Sequence, residues 1–205
     1  MKKALLFPVV LLILLATGTA ALGAGLLGGT DLMVTPTADT LNSGDVSLGL
    51  NFAENDRTYG NLDFGVARDF ELGVAVYDNP WDTDLTLRGK YRLLRETASQ
   101  PALAIGIQDI GADEISPYLV ISKTFDGGFR GYLGAGGGSF DGLFAGLSKN
   151  FRVTGSQLKQ VQLLVEADSH NVNLGTKFMF KEPVSINFGF IDMDRWVLGA
   201  TLNFN

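Results

Sequence analysis

The residues of this chain that could do chemistry form few of the constellations that catalysis needs. Ser169 and His170 are its one adjacent serine–histidine pair. Neighbouring residues on a strand point to opposite faces, which keeps a nucleophile away from its base. A tight turn between Asp168 and Asn171 suits this pair better. We therefore expect no catalytic residues and no enzyme.

Two further motifs suggest ligands but lack the required context. Residues 134–138 are glycine-rich like a phosphate loop, yet no Lys-Ser or Lys-Thr pair follows them. Closely packed strands or a turn explain these glycines better. The pairs Asp82 with Asp84 and Asp192 with Asp194 offer oxygen ligands for Ca²⁺, but not at the spacing of a calcium loop. Solvated acidic loops are the favoured interpretation, so we expect no cofactor and no metal site.

The composition excludes several classes of protein. The 205 residues include no cysteine and one histidine, which excludes disulfide scaffolds, thiolate metal sites and multi-histidine centres. The net charge of −6 argues against nucleic acid as a partner. The 26 glycines and the low charged fraction of 19% favour a strand-rich protein in contact with apolar surroundings.

The first residues have the layout of a secretory signal peptide. Lys2 and Lys3 precede an apolar run over residues 4–16, and small residues follow to position 24. The alternative, an uncleaved membrane anchor, is less favoured because the apolar run is short for a span. We predict a cleaved signal peptide at 1–24, a lead-in segment at 25–45 and a barrel at 46–205.

From Val46 onward the apolar residues recur with the period of two that is typical of strands. Leu48, Leu50 and Phe52 continue this alternation. The segments near 116–125, 129–137 and 140–148 alternate less clearly, because glycine replaces many side chains. The pattern predicts an all-β fold, a transmembrane antiparallel up-and-down barrel of about 12 strands, with a range of 10–14.

The direction of the apolar faces decides the class of barrel. In a soluble barrel the apolar face is inside, whereas in an outer-membrane barrel it contacts lipid. The apolar faces here are almost purely aliphatic and aromatic, and the opposite faces carry polar and charged residues. We therefore predict that Leu174 faces hydrocarbon and that Gly175 faces the lumen.

Charged residues fall on the predicted inner faces. We predict that these line the lumen: Asp63, Glu71, Arg88, Lys90 and Lys177. Buried charges need partners or water. They either pair into a network that fills a narrow lumen or line a wet pore that favours anions or sugars. For so small a barrel we favour a mostly filled interior.

Charges also sort between alternate turns. One set is mostly acidic: Glu54, Asp56, Asp78, Asp82, Asp84, Asp109, Asp113, Glu114, Asp141, Glu166, Asp168, Asp192 and Asp194, against Arg57 and Arg195. The other set is mostly basic: Arg68, Arg92, Arg95, Lys123, Arg130, Lys149, Arg152, Lys159 and Lys181, against Asp69, Glu96, Asp126 and Glu182. With both termini in the periplasm, the acidic rim lies outside and attracts divalent cations, and the basic rim meets the inner-leaflet lipids.

The opening of the predicted barrel resembles that of YjbH-type outer-membrane barrels. Residues 29–51 contain a glycine-rich start and a Thr-Pro-Thr-Ala turn that leads through a glycine into the first strand. Residues 62–76, 89–92 and 101–109 are similar to the strands that follow in that family. The resemblance implies an outer-membrane barrel linked to exopolysaccharide production or export.

Three functions remain open from the sequence. The first is a non-enzymatic outer-membrane barrel with a role in envelope structure or surface-polysaccharide passage. The alternatives are a small-solute porin in the outer membrane and a secreted soluble β-barrel that binds an apolar ligand. The expected partners are outer-membrane lipids, divalent cations at the acidic rim, and polysaccharide or small solutes, with no nucleic acid.

Overall fold

The computed structural model describes residues 25–26, 28–181 and 183–204. This part of the chain forms twelve strands: β1 (Val46–Ala53), β2 (Arg57–Ala67), β3 (Phe70–Asp78), β4 (Thr83–Leu94), β5 (Ala102–Ile110), β6 (Ser116–Phe125), β7 (Phe129–Gly136), β8 (Gly142–Arg152), β9 (Leu158–Ala167), β10 (Val172–Phe180), β11 (Val184–Ile191) and β12 (Arg195–Phe204). Single 3-10 turns lie at Asp126–Gly128 and Gly138–Phe140. No helix among the described residues has the length and apolar character to cross a membrane.

The strands form a closed antiparallel barrel in chain order. Each strand pairs with the next, and β12 returns to β1 with Val46 opposite Phe204 and Ala53 opposite Val197. Closure leaves no free sheet edge. The predicted all-β, up-and-down barrel of about twelve strands is confirmed. The predicted signal peptide, residues 1–24, lies outside the described residues.

Short turns make the strands alternate between the two ends of the barrel. Asn55 and Asp56 have φ angles of 64° and 55°, and Asp192 and Met193 have 54° and 56°. Positive φ at both central residues is the type I′ geometry that matches the twist of a hairpin. We call the end with the turns after odd-numbered strands the acidic end. The opposite end, where β1 begins, is the basic end.

The outer surface of the barrel is apolar and the inner surface is largely polar. In β12, Trp196 and Leu198 are 41% and 47% exposed, whereas Val197 and Thr201 between and beyond them are buried. The same alternation runs through the other strands. An apolar exterior around a polar interior is the arrangement of outer-membrane barrels. The predicted direction of the faces is thus confirmed.

Two parts of the inner surface depart from this polarity. One contains Ala53, Tyr132, Leu164 and Val197. The other lies beside β5 to β8, where Tyr118, Val120, Phe140 and Phe144 pack together. A Cβ on Gly134 would collide with the ring of Phe144. Because both faces are apolar here and glycine makes room for the rings, the sequence alternates less clearly over these strands.

Candidate functional site

The lumen of the barrel is filled by the chain's own residues 25–26 and 28–41, which we call the plug, and residues 42–45 lead from it to β1. Two of its runs lie side by side, since Leu26 N donates to Met33 O at 2.7 Å and Thr37 Oγ1 donates to Thr30 O at 2.7 Å. The chain leaves the lumen at the basic end, where Gly44 N donates to Gly65 O. Most of the segment predicted as a lead-in to the barrel therefore lies inside it.

Glu166 on β9 holds the plug through four hydrogen bonds. Its carboxylate accepts the backbone N–H groups of Met33, Val34 and Thr35 at 3.1, 2.8 and 3.2 Å, and Thr35 Oγ1 donates to it at 2.8 Å. Asn173 Nδ2 on β10 supports the carboxylate at 2.9 Å. Successive N–H groups converging on one carboxylate form an anion-binding nest.

The sequence placed Glu166 on the acidic rim, and that assignment is wrong. Its side chain is buried against the plug. Glu166 lies one residue before the end of β9, which places it near the acidic rim. Because successive side chains of a strand point to opposite faces, however, its side chain points into the lumen.

A second set of wall groups binds Thr30, Asp31 and Leu41 of the plug. Thr30 Oγ1 lies 3.1 Å from Glu71 Oε2, and Leu41 N donates to the same oxygen at 2.9 Å. Lys90 Nζ donates to Thr30 Oγ1 at 2.7 Å and forms an ion pair with Asp31 at 2.8 Å. These ionised groups are buried but satisfied, as a low-dielectric interior requires.

The remaining predicted lumen residues lie in the same region. Arg88 forms an ion pair with Asp63 on the wall, which also accepts a hydrogen bond from Asn61 Nδ2 at 2.8 Å. Lys177 Nζ donates to the carbonyl of Asp31 at 2.8 Å. The structure thus brings Asp63, Glu71, Arg88, Lys90 and Lys177 together around the plug, all buried. Their functional role stays a prediction.

The apolar part of the lumen holds the middle of the plug. Ala38 is completely buried with Tyr118 and Phe144. Its N–H donates to Ser122 Oγ at 2.9 Å. The rings of Tyr118 and Phe144 are therefore covered by a residue whose side chain is a single methyl group.

The plug packs tightly against the charged part of the wall. No water-sized space remains between Asp31, Glu71, Arg88 and Tyr118 in the described chain. Beyond the plug, towards the acidic end, a cavity of about 400 Å³ opens between Val34 and the strand ends. The cavity is lined by carboxylates that include Asp82, Asp84, Asp109, Asp113 and Glu114. Nowhere in the described chain do three acidic or histidine side chains converge as a metal ion would need.

The basic end contains a compact charge cluster. Asp69, in the turn between β2 and β3, pairs with Arg92 at 2.6 Å and Arg95 at 2.9 Å. Partial burial raises the pKa of Asp69, but the hydrogen bonds from Arg95 and Arg92 outweigh it and leave that pKa below its ordinary value. The carboxylate therefore stays ionised and ties two turns of this end together.

The serine–histidine pair lies in the turn between β9 and β10. Asp168 Oδ1 accepts the N–H groups of His170 and Asn171 at 2.8 Å each. Ser169 Oγ donates to the carbonyl of Asp141 at 2.6 Å, so its hydroxyl is engaged with backbone. The geometry is that of a turn.

Sequence reasoning missed the plug and its anchors. The plug residues Thr30, Asp31 and Thr35 and the wall residues Ser122 and Glu166 carry most of the polar contacts described above. The available signal was a run of threonines without strand periodicity directly before a barrel whose inner faces carry charges. Such a run offers many donors and acceptors in a narrow segment.

The family comparison matches most of the chain. The model described as "Exopolysaccharide biosynthesis protein YbjH", of the YjbH family, matches residues 24–162, which include the plug and the strands up to the start of β9. Curated protein sequences gave no match.

Three solved structures align with this chain at TM-scores below 0.5. The outer membrane protein Omp33 of Acinetobacter baumannii has a TM-score of 0.49 and 9% identity, over 78% of this chain and 96% of that one. A triple mutant of the porin of Rhodopseudomonas blastica has a TM-score of 0.36 and 14% identity, over 72% and 55%. The N-terminal β-barrel domain of Pseudomonas aeruginosa OprF has a TM-score of 0.25 and 18% identity, over 80% and 100%.

Proposed function

This chain belongs to the YjbH family of exopolysaccharide biosynthesis proteins, and we propose that it is a non-enzymatic outer-membrane barrel that serves the passage of surface polysaccharide. In the resting state the plug keeps this passage closed. The apolar outer surface supports a position in the outer membrane, where it contacts hydrocarbon. The family description supports the connection with polysaccharide.

The observation that carries the proposal is the way in which the lumen is filled. The plug is held by hydrogen bonds and ion pairs to Glu166, Glu71 and Lys90. Its Leu26, Leu32 and Met33 also pack against apolar residues of the wall. Water and polar solutes can replace the polar contacts group by group, whereas an apolar core has no comparable substitute. A lumen that served only to stabilise the barrel has no need of so polar a filling.

Planar-bilayer recording tests this function. We expect the full-length chain to show almost no conductance, because the plug occupies the lumen and leaves no water-sized space around Asp31. A variant lacking residues 28–41 should conduct steadily. Heat-dependent migration on SDS gels checks that both proteins form closed barrels.

Each alternative function predicts a different record. A small-solute porin conducts with its plug in place. A soluble barrel is recovered without detergent. If the deletion variant forms a closed barrel but shows no conductance, passage through the lumen is contradicted.

An even number of strands brings both ends of the sheet to the basic end of the barrel, and we propose that this end faces the periplasm. With both ends of the sheet in the periplasm, the acidic end lies outside, where divalent cations bridge its carboxylates to anionic lipid. We expect an epitope inserted at Asp113, between β5 and β6, to be labelled on intact cells. An epitope at Arg95, between β4 and β5, should be labelled only after permeabilisation. The reverse pattern overturns this orientation.

A further inference from the structure

We propose that the inner wall of the barrel binds an uncharged, hydroxyl-rich saccharide chain, and that the plug occupies the same wall groups as a displaceable competitor. This inference rests on the proposed passage function and specifies its substrate class and its gate. Four properties of the lumen support it: the chemistry of the plug contacts, the balance of buried charges, a set of unsatisfied polar atoms, and the available width.

The plug contacts the wall with the groups that a saccharide offers. The Thr35 hydroxyl donates to the carboxylate of Glu166 at 2.8 Å. The Thr30 hydroxyl lies 3.1 Å from Glu71 Oε2 and 2.9 Å from the carbonyl oxygen of Asp39 within the plug. Backbone N–H groups of the plug donate to the same carboxylates, as Leu41 N does to Glu71. Sugar hydroxyls and acetamido N–H groups donate to carboxylates in the same way, and hydrogen bonds to ionised acceptors are the stronger class.

The buried charges of the wall favour an uncharged ligand. Among the described strand residues they consist of three carboxylates and three cations: Asp63, Glu71, Glu166, Arg88, Lys90 and Lys177. Arg88 pairs with Asp63, and Lys90 lies 3.9 Å from Glu71. A polyanion or polycation would meet like charges beside every attractive partner. A neutral chain can use both signs as acceptors and donors.

Several buried polar atoms near the basic end lack a partner. Ser47 Oγ, Thr201 Oγ1 and both side-chain polar atoms of Asn203 make no hydrogen bond in the described structure. Ser47 pairs in register with Asn203 between β1 and β12, and Thr201 lies on the same inner face. Buried polar groups without partners are rare and call for an explanation. Their hydroxyl and amide groups provide an entry site for a chain that arrives from the basic end.

The lumen is also wide enough. Two runs of the plug, one of residues 26 and 28–30 and one of residues 33–37, lie side by side within it, so the wall encloses the cross-section of two peptide backbones. This cross-section accommodates one chain of pyranose rings once the plug has moved. The rings of Tyr118 and Phe144, now covered by Ala38, would then offer faces to the C–H surfaces of a sugar.

Competition between plug and saccharide is measured with a thiol reporter in the full-length chain. The protein contains no cysteine, so Thr37→Cys provides a single buried site for a water-soluble maleimide. We expect maltopentaose to raise the labelling rate about tenfold, because a ligand that binds only the unplugged state shifts the population towards it. A polyethylene glycol and a polyanionic oligosaccharide of matched length should leave the rate unchanged.

A second variant covers the case in which the plug of the otherwise unchanged protein opens too rarely for Thr37→Cys to be labelled. Thr30→Val with Thr35→Val removes two plug hydroxyls and leaves every wall group intact. Adding Glu71→Gln to that background should reduce the effect of maltopentaose, whereas Gln162→Ala, which contacts Ser148 and not the plug, should not.

The result that overturns the inference is a labelling rate that maltopentaose leaves unchanged in both backgrounds, or that all three polymers raise equally. The conductance of the deletion variant is independent of this outcome. It separates failure of the saccharide site from failure of the passage function.

Discussion

A Glu166→Ala substitution is expected to lower the ratio of plugged to unplugged protein at least about a hundredfold relative to the wild type. The substitution removes the acceptor of three backbone N–H groups, those of Met33, Val34 and Thr35. Each buried donor without a partner costs ~1–3 kcal/mol. Three such donors together destabilise the plugged state by at least about 3 kcal/mol, and every 1.4 kcal/mol is about a factor of ten in the population ratio.

The measurement is the labelling rate of Thr37→Cys combined with channel recording. Glu166→Ala should label rapidly and should open in planar bilayers, while its gel migration still shows a closed barrel. Ser122→Ala is the matched control, because Ser122 accepts one plug N–H, that of Ala38. Its effect should be about 1–3 kcal/mol. Equal labelling of Glu166→Ala and wild type would show that the nest does not anchor the plug.

The fold could be predicted because its determinants are local. In β11 and β12 every second residue is apolar and faces outward, as at Phe188, Phe190 and Leu198. A period of two in a stretch of eight to ten residues already defines a strand and its two faces. The strands β6 to β8 were harder, since glycine and aromatic residues share their inner face, as at Gly134 and Phe144.

The same alternation of side chains predicted the charged residues of the inner wall, but it did not predict the plug. Asp63, Glu71, Arg88, Lys90 and Lys177 could be assigned to inner faces by counting residues along their own strands. The contacts of the plug join residues far apart in the chain, as Val34 and Glu166 are separated by 132 positions. The segment from Thr30 to Asn42 shows no periodicity that would reveal such partners. Its position depends on groups from several strands that only the closed barrel brings together.

The neighbouring substitutions Leu174→Arg and Gly175→Arg are expected to destabilise the barrel for different reasons. Leu174 is exposed on the outer surface, where an arginine in the middle of the membrane costs ~2–4 kcal/mol. Gly175 faces the plug, and a Cβ there would lie 3.1 Å from Met33 Cγ and 3.2 Å from Leu164 Cδ1. An arginine in this space overfills the lumen, at a cost of about 1–3 kcal/mol for the packing alone.

The plug separates the two effects. In a chain lacking residues 28–41, Met33 is gone and the lumen admits water, so Gly175→Arg should recover most of its stability. Leu174→Arg should recover none, because its arginine still faces hydrocarbon. Urea midpoints in lipid vesicles, read from the heat-dependent gel migration, measure both changes. Gly189→Arg should recover only in part, because its Cβ would collide with the backbone carbonyl of Leu174 on β10 as well as with Met33, and the deletion leaves that carbonyl in place. If deletion of the plug restores the stability of both Leu174→Arg and Gly175→Arg, or of neither, Gly175 does not face the lumen. The position assigned to the plug is then wrong as well.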